Sequence, residues 1–164
     1  MPQASPFVLR SATPADVPVI LECIRGLAEY EQLPHEVTAT EAQLRTSLFG
    51  PRPDAEVVLA VDGDEVAGFA LFFHNYSTFL ARRGLYLEDL FVFPRFRGRG
   101  LGKRLLAHLA RIAVERECGR FEWAVLDWNV GAIGFYESMG AVAMNDWTVY
   151  RLTGDALQRL AAED

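Results

Sequence analysis

One stretch constrains this chain more than any other. An apolar run, Leu85-Tyr86-Leu87-Glu88-Asp89-Leu90-Phe91-Val92, passes through Pro94 into Arg97-Gly98-Arg99-Gly100-Leu101-Gly102-Lys103. The region Leu101–Glu117 then carries Leu101, Leu105, Leu109, Ile112 and Ala113 at helical spacing. A strand, a glycine-rich turn and an amphipathic helix follow in that order. The first amides of a helix have no internal partner, and glycines beside them accept positive φ. The helix dipole adds partial positive charge, so this junction suits an anion. The charge pattern agrees. The chain carries a net −6, yet residues 94–120 hold eight of its sixteen Lys and Arg against two acids. A basic island on an acidic chain points to a small polyanion such as a phosphate. A solvated Arg-rich helix face is the other reading. Nucleic acid would need a wider basic surface.

Two rival phosphate motifs fail on spacing. Gly98, Gly100 and Gly102 make GxGxG rather than GxGxxG, and no acidic residue closes a βαβ unit about 20 residues later. A Walker A loop needs Gly and Ser or Thr where this chain has Arg97 and Arg104.

The rest of the chain surrounds that junction with mixed elements. Phe7–Ala12 alternates as a strand. Thr13-Pro14-Ala15-Asp16 opens a helix whose stripe is Val17, Ile20, Leu21, Ile24, Leu27 and Ala28. Thr40 or Thr38 caps a short second helix carrying Leu44 and Leu48. Glu56–Asp62 and Glu65–Asn75 form a hairpin across Gly63-Asp64, and Leu85–Phe93 is the next strand. Phe121–Asp127 reads as a strand and Val130–Met139 as a helix stopped by Gly140. Ala141–Met144 and Trp147–Leu152 read as two closing strands, and Asp155–Ala162 as a tail helix. The expected fold class is α/β, a mixed, largely antiparallel sheet flanked by helices in the order β-α-α-β-β-β-α-β-α-β-β. With 164 residues, 51% of them hydrophobic, one domain over 1–164 with its core at about 7–152 is expected, and disorder is excluded.

Several other classes are also set aside. No apolar run reaches the roughly 18 residues of a membrane span, so no membrane partner is expected. The first sixteen residues lack an apolar leader core, which predicts a cytoplasmic protein. Cys23 and Cys118, the only cysteines, read as free thiols in a reducing compartment. His35, His74 and His108 have no ligand spacing, so no metal is expected.

With its flanks included, the junction resembles the GNAT superfamily of acetyl-CoA-dependent N-acyltransferases. The family signature is Arg or Gln, two residues, Gly, one residue, Gly or Ala, matched here by Arg97-Gly98-Arg99-Gly100-Leu101-Gly102. Val125-Leu126-Asp127-Trp128-Asn129, Ala132-Ile133-Gly134-Phe135-Tyr136 and Gly140-Ala141 are similar to its second half. Phe7-Val8-Leu9-Arg10, Ala12-Thr13, Asp16, Leu27-Ala28-Glu29-Tyr30-Glu31, Tyr86-Leu87-Glu88-Asp89 and Trp128-Asn129 resemble one subgroup. Its members are the diamine (spermidine/spermine) acetyltransferases and their thialysine-acetylating relatives. The region of Asn145-Asp146-Trp147 is shorter than that subgroup's usual approach to its Trp, so one substrate contact lacks a counterpart.

The resemblance implies an acetyl-CoA-dependent N-acetyltransferase, usually a homodimer, acting on a small-molecule amine. It places acetyl-CoA on Leu90, Phe91, Val92, Arg97, Gly98, Arg99, Gly100, Leu101, Gly102, Lys103, Asn129, Ala132 and Tyr136. The chemistry asks for particular groups. An alkylammonium of pKa about 10.4 is only about one part in a thousand neutral near pH 7.4, so a proton acceptor is needed. Glu88 is the candidate base, and an outward surface Glu is the other reading. In the family a bulge in this strand aims a backbone N–H at the oxyanion, and Leu90 and Val92 are the positions the resemblance implies. Tyr136 would protonate the departing thiolate, unless it only packs as a helix aromatic. Tyr30, Glu31, Glu88, Asp89 and Asp146 are candidates for the amine site, with Glu29 and Glu36 as further carboxylates. Another amine as acceptor (an amino acid, an aminoglycoside or a protein) and a non-catalytic CoA-binding module are the alternatives.

Overall fold

The computed structural model describes residues 6–163. Residues 1–5, part of the stretch read for a leader, lie outside them. The chain divides into two compact units, Met1–Leu126 and Asp127–Asp164.

The first unit holds a five-stranded sheet in sequential order: β1 (Val8–Ser11), β2 (Glu56–Asp62), β3 (Glu65–Ser77), β4 (Arg82–Val92) and β5 (Phe121–Trp123). Every pairing is antiparallel except β4 with β5, which is parallel. The expected α/β class with a largely antiparallel sheet is therefore observed. Helices α1 (Val17–Tyr30), α2 (Glu41–Phe49) and α3 (Leu101–Glu115) accompany the sheet. Val17, Ile20, Leu21 and Cys23 of α1 pack with Leu44 and Leu48 of α2 and with Val57, Leu59, Phe69 and Phe91 of the sheet. Leu101, Leu105, Leu106, Leu109 and Ala113 are the buried stripe of α3. Truncating a fully buried leucine such as Leu105 costs about 2–5 kcal/mol in a core of this kind.

Local chemistry sets the boundaries. Thr40 caps α2: its Oγ1 accepts from Gln43 N–H at 3.2 Å, and Gln43 Oε1 accepts from Thr40 N–H at 2.9 Å. Thr13-Pro14 opens a 3-10 turn over Pro14–Asp16, and α1 begins only at Val17. Asp16 is spent locally, accepting from Thr13 N–H at 2.7 Å and pairing with Arg10 at 2.8 Å.

The second unit contains α4 (Val130–Ser138) and α5 (Gly154–Ala161). The two closing strands expected at 141–144 and 147–152 do not form among the described residues. Alternating side chains set the faces of a strand, but a strand exists only where a ladder partner takes its backbone groups. Here 145–146 is a turn, closed by Trp147 N–H on Met144 O at 3.2 Å, without a hairpin around it. The order found is thus β-α-α-β-β-β-α-β-α-α. Strand β5 is also shorter than the expected Phe121–Asp127.

Candidate active site

The site grows from one irregularity in β4. Leu71 pairs with Asp89 and Phe72 with Leu87, so Glu88 is an extra residue, a bulge. Two hydrogen bonds show its effect. Leu85 N–H donates to Arg120 O at 2.9 Å, on the β5 side, whereas Phe93 N–H donates to Ala67 O at 2.9 Å, on the β3 side. A regular strand would send two odd-numbered residues the same way. The bulge reverses the sense between them, so Leu90 and Val92 turn their N–H groups away from β3. That edge is one β5 has left, since β4–β5 pairing ends at Leu87/Trp123.

The bulge also changes which face each side chain takes. Phe91 packs with the α1 cluster, close enough that a Cβ on Gly26 would collide with its ring. Asp89, two residues away and paired with Leu71, shares that face. Leu90 turns to α3, where its Cδ2 lies 3.9 Å from where a Cβ on Gly102 would sit. Glu88 is exposed and Asp89 is half-buried. Burial, then the charges of Glu88 and Glu31, push the Asp89 carboxyl up to about 6. Glu31, just past the end of α1, is raised by burial and then by Glu88. The Tyr86 phenol is raised by burial, then by Glu88 and Glu122. Three carboxylates therefore share one neighbourhood on the first unit.

The glycine turn follows. Gly98 and Gly100 have φ of 77° and 74°, and a Cβ on either would meet nothing within 4 Å. Gly100 is the N-cap of α3 and offers no side chain to its first amides. Those amides and the open backbone fit a phosphate. Four arginines of the basic island, those around the turn, have partners of their own. Arg95 pairs with Glu65 at 2.9 Å and Arg99 with Asp62 at 3.7 Å, while Arg104 Nη1 donates to Phe7 O at 2.9 Å. Arg97 Nε donates to Val92 O at 2.9 Å. The turn thus presents backbone amides more than a ring of free guanidinium groups.

In the second unit, Asn129 Oδ1 accepts from Ala132 N–H at 3.3 Å and caps α4. Tyr136 lies on α4 beside Phe135, ring centroids 5.8 Å apart. Asp146 stands in the 145–146 turn. The first unit therefore brings together Tyr30, Glu31, Glu88, Asp89, Leu90–Val92 and the 97–103 turn, and Asn129, Ala132, Tyr136 and Asp146 belong to the other unit. No group of three or more His, Cys, Asp and Glu able to hold a metal occurs among the described residues. No helix among them is long and apolar enough to cross a membrane.

A model of the acetyltransferase (GNAT) family matches residues 24–141. The chain belongs to the GNAT acetyltransferase family. It is thereby an acyl-transferring enzyme, and GNAT acetyltransferases take their acetyl group from acetyl-CoA. It is similar to an L-ornithine N5-acetyltransferase of Arabidopsis thaliana, at 39% identity over 93% of this chain and 86% of that one. It is similar to a thialysine N-epsilon-acetyltransferase of Mus musculus, at 37% identity over 93% of this chain and 96% of that one. These relatives fall in the subgroup that the sequence resembles. An integron cassette protein from the mobile metagenome of Vibrio cholerae shares the fold, with TM-score 0.81, 27% identity, and coverage of 98% of this chain and 100% of that one.

The resemblance implied a bulge in this strand, and the register places it at Glu88; its exact position and the partners of Arg97 were not foreseen. Two adjacent acids inside an apolar strand, Glu88-Asp89, break the alternation and were the available signal.

Proposed function

We propose that this GNAT enzyme acetylates the primary amine of a small lysine-like diamine, of which ornithine and thialysine are the models. The observation that carries this is the cluster of Glu31, Glu88 and Asp89 at the bulge, beside the open edge of β4. A second cationic group on the acceptor would neutralise carboxylates that repel one another. The names of the two relatives favour a lysine-like amine over a longer polyamine.

The chemistry is direct transfer. The acceptor nitrogen, deprotonated towards Glu88, attacks the thioester carbonyl carbon and forms a C–N bond. The carbonyl oxygen takes up negative charge, which N–H groups at Leu90 and Val92 stabilise; one such donor is worth about a hundredfold in rate. The C–S bond then breaks, and Tyr136 gives the CoA thiolate its proton. On the first unit the amides of Gly98–Lys103 would take the phosphates of acetyl-CoA beside the edge of β4; Asn129 and Ala132, which the resemblance implies for the same cosubstrate, stand at the start of α4. Asp146 contributes to the amine site. The homodimer and the cytoplasmic location belong to the same reading; half-buried or buried free thiols at Cys23 and Cys118 suit a reducing compartment.

The test is free-thiol release from acetyl-CoA with ornithine, thialysine, spermidine and an aminoglycoside as acceptors. Ornithine or thialysine should show the highest kcat/KM; preference for an aminoglycoside would overturn the acceptor class. Tyr136→Phe keeps the ring and should lower turnover about a hundredfold, within the usual range for general acids. A variant within threefold of wild type would leave Tyr136 a packing residue.

A further inference from the structure

Arg97 is the first residue of the family signature, yet its side chain contacts β4 and the end of α1. Its Nε donates to Val92 O at 2.9 Å, on the edge of β4 that β5 has left. Its Cζ lies 5.4 Å from the ring centroid of Tyr30 and 5.5 Å from that of Phe91. Both distances fall in the range of cation–π attraction. Phe91 is buried and fixed by Phe93, edge to face at 5.2 Å, and by Gly26 of α1. Tyr30 is the last residue of α1, and Glu31 follows it. One guanidinium therefore joins three things: the start of the glycine turn, the last carbonyl of β4, and the end of α1 that carries Tyr30 and Glu31.

Resting on the amine site proposed above, we propose that Arg97 is a positioning residue for the acceptor end. It holds the Tyr30 ring, and with it Glu31, against the bulged part of β4, rather than reading phosphate by charge. A planar guanidinium is suited to this and an ammonium is not. The guanidinium stacks on aromatic faces while its Nε donates in the plane, whereas Lys offers a compact, strongly hydrated charge with no fixed fork.

Arg97→Lys separates the two roles because it keeps the charge. The acceptor KM, with thialysine as the probe, should rise about five- to tenfold, the size of a lost exposed-to-buried cation–π contact. Calorimetric affinity for CoA should stay within threefold. Tyr30→Leu, which removes the ring, should raise the same KM. Combining Arg97→Lys with Tyr30→Leu should add nothing beyond the larger single effect. A second readout needs no turnover. In protein labelled with 3-fluorotyrosine, the Tyr30 fluorine signal should move in Arg97→Lys while the other tyrosine signals hold. An unchanged thialysine KM beside a weakened CoA affinity would overturn the proposal, as would single effects that multiply. An unmoved Tyr30 signal would overturn it too. If wild type ignores thialysine while the Tyr30 signal moves, the acceptor assignment fails and the positioning stands.

Discussion

Two charged clusters touch β4 and follow opposite rules. Near Gly84, Arg116 makes a two-pronged pair with Glu56, at 2.6 and 2.9 Å. It also meets His74 Nε2 at 2.9 Å, while His74 Nδ1 lies 3.0 Å from Gly84 O. Hydrogen bonding from Arg116 holds the Glu56 carboxyl below its ordinary range and raises Arg116 in return. At the bulge, burial and then the charges of Glu88 and Glu31 push the Asp89 carboxyl up. The first cluster completes itself and ties α3 to the sheet. The second gathers like charges, which is costly unless a cation from outside completes it. That difference separates a cluster satisfied from within from one suited to an added cation, both beside one strand.

The largest expected effect breaks the second cluster chemically. Glu88→Gln keeps shape and removes the proposed proton acceptor, and should lower turnover about a hundredfold at neutral pH. Steady-state kinetics across pH 6 to 9 checks it. Full activity throughout would move the base elsewhere.

Asp89→Asn sharpens the contrast because function and stability should part. A carboxyl whose folded pKa is raised binds its proton more tightly in the folded chain. The folded state therefore loses stability through this group as pH rises from the ordinary Asp value of about 4 through about 6. Asp89→Asn should stabilise the protein at pH 7 by about 1–3 kcal/mol, measured by urea unfolding, with no gain at pH 4. It should also raise the KM for a cationic acceptor. A destabilised Asp89→Asn protein at pH 7 would contradict the sign.

Glu56→Gln should have the smallest effect, and the opposite sign. A carboxyl with a lowered folded pKa contributes stability above its unfolded value, and that contribution is lost as pH falls through the folded one. Because the pair is half exposed, the loss at pH 7 should be about 1 kcal/mol by urea unfolding. Turnover should stay within twofold, which separates this cluster from the other.

How legible these features were depends on how local their causes are. The turn at Gly98–Gly102, the Thr40 cap and the hairpin across Gly63 are set by residues close in sequence, and each was legible. The stripe of α1 was legible too, although Pro14–Asp16 forms a 3-10 turn before it. The site was only half legible. Glu88-Asp89 disturbed the alternation, but which acid turned inward depended on the register against Leu71 and Phe72 of β3. Phe121–Asp127 looked like strand throughout, yet pairing stops at Trp123, opposite the residue before the bulge. The segments 141–144 and 147–152 have strand-like alternation, which specifies no partner. The basic island suggested a ring of phosphate ligands. Nothing in the sequence showed that Asp62, Glu65 and two backbone carbonyls would claim four of its arginines.

The central claim is that the bulge holds carboxylates waiting for a cation. The direct measurement is a carbon-13 NMR titration of the Asp89 carboxyl. In the free protein its midpoint should lie near 6. Adding thialysine to the CoA complex should shift it down, because an ammonium favours the ionised form. A midpoint at the ordinary Asp value of about 4, or one that thialysine leaves unmoved, would contradict the account.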